Sequence, residues 1–126
     1  MYNPITIPAS AKMLFNRIKL KEGVTIEDVE DSLGMMCYTV KENYSGFIAG
    51  QVLKYEGFVS NEGSINAIDE DDDHFVIITY WESFDEHERS HADEAFKTHF
   101  CELVDMADSA WERGYTCLWQ GERNES

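Results

Sequence analysis

His74-Phe75-Val76-Ile77-Ile78-Thr79-Tyr80-Trp81, running on through Glu82-Ser83-Phe84-Asp85-Glu86 into His87-Glu88-Arg89-Ser90-His91, takes the chain from its clearest strand into a helix. The first eight residues are almost all β-branched or aromatic, which suits a pleated, largely buried surface. Ser83 or Asp85 can cap the helix that follows, each with a glutamate three residues on. The helical pattern then predicts a helix to about Ala107. Upstream, a polar stretch from Asn61 to Asp73 separates this strand from an aromatic and β-branched run, Phe47 to Val59. Adjacent strands joined by such a loop form an antiparallel hairpin.

The same reading extends to both ends. Met13 to Leu20 alternates, with Leu14, Asn16, Ile18 and Leu20 on one face, as in a half-buried strand. Thr25 caps a helix, with Asp28 completing a capping box, and Ile26, Val29, Leu33, Met36, Cys37 and Val40 recur at helical spacing. Trp111 to Gln120 predicts a last strand with Trp111, Tyr115, Cys117 and Trp119 on one face. The order βαββαβ is the ferredoxin-like α+β motif: a four-stranded antiparallel sheet with two helices on one face. The opposite face is left apolar. A second copy would cover it, giving a dimeric α+β barrel, as a homodimer or higher oligomer.

At 126 residues the chain reads as one domain, 1–126, with residues 1–11 as an extended arm. A formal net charge of −15 argues against nucleic acid and anionic membrane surfaces as partners, since both demand basic patches. The acidic run Asp69-Glu70-Asp71-Asp72-Asp73 reads as a solvated loop. No apolar run is long enough to span a bilayer, and no leader-like segment opens the sequence. Three cysteines without a spacing pattern point to reduced thiols. These features predict a cytoplasmic protein acting on a small-molecule substrate.

His87 and His91 stand four residues apart, on one face of the expected helix. Two imidazoles and a carboxylate with open positions make the facial triad of non-haem iron enzymes. The string also matches the HExxH of zinc proteases, but Asp93-Glu94 and Lys97 replace the extension that one large protease group requires. Glu88 points about a quarter-turn from His87. Glu112, on a different element, is the better third ligand. Cys37 reads either as a small core residue or as a reactive thiol.

Three strings together resemble the sulfur oxygenase reductases. Tyr80-Trp81, five residues, then His87-Glu88-x-x-His91 is similar to that family's strand end and iron helix. Trp111-Glu112 resembles its later Trp-Glu, and Gly34-Met35-Met36-Cys37, followed by Gly46-Phe47, resembles its cysteine segment. The resemblance spans residues 33–112 in pieces. It implies a mononuclear non-haem iron, with zinc as the alternative, held by His87, His91 and Glu112. It implies a persulfide on Cys37 as the catalytic residue, and oxygen-dependent disproportionation of sulfur. This chain has one ferredoxin-like unit where that family has two. A second resemblance, through Trp81-Glu82-Ser83 before a helix and Asn16-Arg17, is to antibiotic-biosynthesis monooxygenases and haem-binding or haem-degrading α+β barrels. It implies an oxygenase without ligated iron at this site.

Overall fold

A computed structural model describes residues 3–66 and 73–123. The elements are β1 (Lys12–Leu20), α1 (Ile26–Asn43), β2 (Phe47–Lys54), β3 (Phe75–Trp81), α2 (Phe84–Ser90), α3 (Glu94–Asp105) and β4 (Ala107–Thr116). The strands form one antiparallel sheet in the order β2-β3-β1-β4. This is the ferredoxin-like α+β arrangement expected from the sequence.

Side-chain alternation decides which face becomes the core. Leu14 and Ile18 of β1 and Phe75, Ile77 and Trp81 of β3 are buried against the helices. Val29, Leu33, Met36 and Val40 meet them from α1, spaced by three and four residues so that they share one helical stripe. Phe96 and Leu103 of α3 complete the cluster, and α1 packs on α3. Removing a side chain of this size from water stabilises the fold by about 1.5–3 kcal/mol. Asp28 accepts a hydrogen bond from the Thr25 N–H at 2.9 Å and fixes the start of α1, as the capping pattern predicts.

Four expectations need correction. The second helix is not continuous: Asp93 caps a new helix by accepting from the Phe96 N–H at 3.0 Å, and a turn over His91–Asp93 separates α2 from α3. Among the described residues three helices therefore cover the sheet instead of two. β2 ends at Lys54, not Val59, because its partner β3 begins opposite it at Phe75. β4 starts earlier and stops earlier than Trp111 to Gln120, because Ala107, Ser109 and Ala110 pair with Leu20, Lys19 and Ile18 of β1. Trp119 thus lies beyond the strand, 83% exposed, while Trp111 and Tyr115 do share the sheet face away from the helices. There Phe15 stacks on Trp111 at 5.7 Å and meets Tyr115 edge-on at 6.4 Å.

Residues 3–11 of the expected arm carry no strand or helix, and the Gln120 side-chain amide donates to the Ile7 carbonyl at 2.7 Å. Most of the acidic run, Asp69–Asp72, lies outside the described residues. Among those described, no helix is long and apolar enough to cross a membrane.

Candidate functional site

The strand-to-helix passage at Trp81–His91 positions the first two site residues. Ser83 caps α2 by accepting from the Glu86 N–H, and the single helical turn that follows brings His87 over the core. His87 is 4% exposed, with Trp81 edge-on at 5.3 Å. Ser90, 1% exposed, donates its hydroxyl to the His87 carbonyl at 2.6 Å and tightens the helix end. His91 is the C-cap of α2, so the i,i+4 relation survives the helix break and the two rings lie 4.5 Å apart.

Glu112 arrives from the opposite side. It sits on edge strand β4, in register with Asn16 on β1. Gly114, two residues on, lets this strand approach α2: a Cβ there would stand 2.6 Å from the Phe84 ring. The Glu112 carboxylate is 3.0 Å from His87 Nε2 and 3.9 Å from His91 Nε2. The candidate ligand atoms of His87, His91 and Glu112 lie within 4.8 Å of one another. The structure therefore brings together the three residues singled out from sequence.

Burial alone would raise the Glu112 pKa. The hydrogen bond and charge of His87, a hydrogen bond from Asn16 and the charge of His91 outweigh it, and the net shift is downward. Glu112 is thus an anion that accepts, and the proton of the His87 contact belongs to Nε2. His87 Nδ1 is buried without a hydrogen bond, and the Glu88 carboxylate lies 3.3 Å away without bonding geometry. His91 is the open member, its side chain 39% exposed against 5% for His87.

A cavity of about 1090 Å³ lies along this cluster. Its wall is an aromatic ladder: His91 stacks on Phe96 at 5.4 Å, and Phe96 on Phe100 at 5.7 Å. Cys37 lines the same cavity from α1. Burial raises its thiol pKa, which favours the protonated, less nucleophilic form.

Asn16 was not among the residues expected at the site. The signal was available: it is the one polar residue between Leu14 and Ile18 on the core-facing parity of β1. Its amide also donates to the Ile77 carbonyl at 3.4 Å.

Fold and site define a ferredoxin-like α+β protein with a histidine–carboxylate cluster in a cavity between sheet and helices. Among solved structures the chain is similar to SnoaB, a cofactor-independent oxygenase from Streptomyces nogalater, with TM-score 0.65 and 15% identity over 87% of this chain and 95% of that one. It is also similar to a provisionally named antibiotic biosynthesis monooxygenase from Bacteroides thetaiotaomicron, with TM-score 0.64 and 16% identity over 94% and 100% of the two chains. A dimeric ferredoxin-like protein of unknown function from Bacteroides fragilis gives TM-score 0.58 and 10% identity over 85% and 96%. No protein-family model and no curated protein matches the chain.

These similarities establish the fold and correct the cofactor expectation. A mononuclear iron, or zinc, was expected at His87, His91 and Glu112. SnoaB, on this same fold, is an oxygenase that works without a cofactor. In this chain the Glu112 carboxylate accepts from His87 and Asn16. The sulfur oxygenase reductase resemblance gains no support from these neighbours.

Proposed function

We propose that this protein is a cofactor-independent oxygenase acting on a small aromatic substrate that carries an acidic C–H or O–H group. The single observation carrying this reading is the His87–Glu112 contact of 3.0 Å, with the more open His91 beside it, on the wall of an aromatic-lined cavity. Dioxygen reacts slowly with closed-shell organic molecules but accepts electrons readily from a carbanion or phenolate. The protein's task is then to take a proton.

His91 is the base in this reading. Its ring accepts the substrate proton, and the Glu112 anion stabilises the imidazolium that forms. His87 donates to Glu112 and holds the carboxylate in place. Phe96 and Phe100 offer faces to a planar substrate. For a substrate CH2 the balance is CH2 + O2 → C=O + H2O: one oxygen atom enters the product, and the other leaves as water with both hydrogens. The similarity in fold to SnoaB and to the monooxygenase from Bacteroides thetaiotaomicron supports this reading.

The sulfur reading keeps one supporting observation, that Cys37 lines the same cavity as the histidines. Its raised thiol pKa works against persulfide chemistry. We also read the Phe15–Trp111–Tyr115 face as the contact with a second copy, in keeping with the dimeric neighbour. Three free cysteines fit a cytoplasmic setting.

The test is oxidation of dithranol, an anthrone with an acidic CH2, under isotopically labelled dioxygen. One labelled atom in the product carbonyl and one in water supports the proposal. Label from solvent water in the carbonyl, or no reaction above background, refutes it.

A further inference from the structure

The break between α2 and α3 sets where His91 stands, and its turn is held from outside both helices. Asp93 uses its two carboxylate oxygens separately. Oδ1 accepts from the Phe96 N–H at 3.0 Å and starts α3. Oδ2 accepts from the phenol of Tyr44 at 3.3 Å. Tyr44 is the C-cap of α1, with its own N–H bonded to the Val40 carbonyl at 3.2 Å. The Phe96 that this capping places in turn stacks its ring on His91, at 5.4 Å and 14° between planes.

A second contact ties the same turn to α2. The Glu82 N–H donates to the Gly46 carbonyl at 2.8 Å. Gly46 is buried, and a Cβ there would lie 2.6 Å from the Glu86 side chain. The α1–β2 turn therefore grips α2 at Gly46 and the α2–α3 junction at Tyr44, one on each side of His87 and His91.

We propose that Tyr44 is a positioning residue for His91: through Asp93 and the first turn of α3, its phenol sets the orientation of the ring that faces the cavity. The consequence for catalysis rests on the proposed role of His91 as base; the structural part does not. Besides Phe96, three titratable groups among the described residues face His91: Glu88 Oε2 at 3.7 Å, Glu112 Oε1 at 3.9 Å and the His87 ring at 4.5 Å. A small rotation changes the distances to both carboxylates without touching the core.

The experiment compares the imidazole resonances of the full chain by nitrogen–proton NMR at one fixed pH, for wild type, Tyr44→Phe, Asp93→Ser and Asp93→Asn. In Tyr44→Phe the His91 signals shift, while the His87 signals stay close to wild type. Serine caps α3 but is too short to reach Tyr44, so Asp93→Ser reproduces the Tyr44→Phe effect. Asparagine still caps and can donate to the phenol oxygen, so Asp93→Asn remains near wild type. With dithranol as substrate, kcat in Tyr44→Phe falls about fivefold, the worth of one hydrogen bond, with KM unchanged. His91 resonances that superimpose on wild type in both Tyr44→Phe and Asp93→Ser overturn the proposal. If the wild type proves inactive, the NMR comparison still decides Tyr44, and only the base role of His91 fails.

Discussion

Replacing Glu112 with alanine removes the acceptor from His87 Nε2, on a ring only 4% exposed. A buried donor left unsatisfied costs about 1–3 kcal/mol, and the charged acceptor places this pair near 2 kcal/mol. For a domain of this size about 1 kcal/mol moves the melting temperature by about 3–6 °C, so Glu112→Ala should melt about 6–12 °C lower. Glu112→Gln keeps an acceptor oxygen and loses only the charge, and should cost about half as much. The pH dependence has a definite sign. Burial pushes the Glu112 pKa up, but His87, Asn16 and His91 pull it further down, to a net position below the ordinary value of 4.5. A depressed folded-state pKa means that the stabilisation is complete above 4.5 and is lost as the pH falls through the folded value. Urea melts of wild type and Glu112→Gln, at neutral pH and stepwise below 4.5, read this directly. The stability gap should close on acidification. A gap that stays constant or widens, or a Glu112→Ala protein that melts with wild type, would refute the reasoning.

Three further outcomes follow from the packing and the cavity. Trp81 is 1% exposed and bonds its indole N–H to Thr79 at 2.9 Å, so Trp81→Ala should cost about 3–5 kcal/mol by denaturant melt. Trp111→Glu places a charge in the Phe15–Trp111–Tyr115 face proposed as the contact with a second copy; wild type should sediment as a dimer and Trp111→Glu as a monomer, with the far-ultraviolet circular dichroism spectrum unchanged. Cys37, with its raised thiol pKa, should react with iodoacetamide at least tenfold more slowly at mildly alkaline pH than exposed Cys101 and Cys117, as read by mass spectrometry of each site.

Much of the fold was legible because the alternation in β1 and β3 is unbroken by glycine or proline, and because the α1 stripe repeats over four turns. What was not legible traces to particular side chains. Asp93 reads as a surface residue in a helical pattern, yet its carboxylate starts a new helix and divides the expected one at His91. The early start of β4 was hidden because Ala107, Asp108, Ser109 and Ala110 have weak strand propensity, and only pairing with β1 makes them a strand. At the site, the His87–His91 pair and Glu112 carried enough signal to be grouped in advance. Asn16 was legible as the polar residue on the apolar face of β1, but only its register with Glu112 ties it to the site. The metal expectation came from the i,i+4 spacing of His87 and His91 and from a resemblance carried by Trp111-Glu112. The same residue types also make a hydrogen-bonded histidine–carboxylate pair, and sequence cannot separate the two.

The most direct test is an oxygen-electrode assay of dithranol oxidation by chelator-treated full-length protein in metal-free buffer, with His91→Ala alongside. The expected result is uptake of one O2 per substrate, unaffected by the chelator, with a rate about a hundredfold lower in His91→Ala, the usual worth of a positioned general base. Oxidation that appears only when Fe(II) is added back, or a His91→Ala protein as fast as wild type, would contradict it.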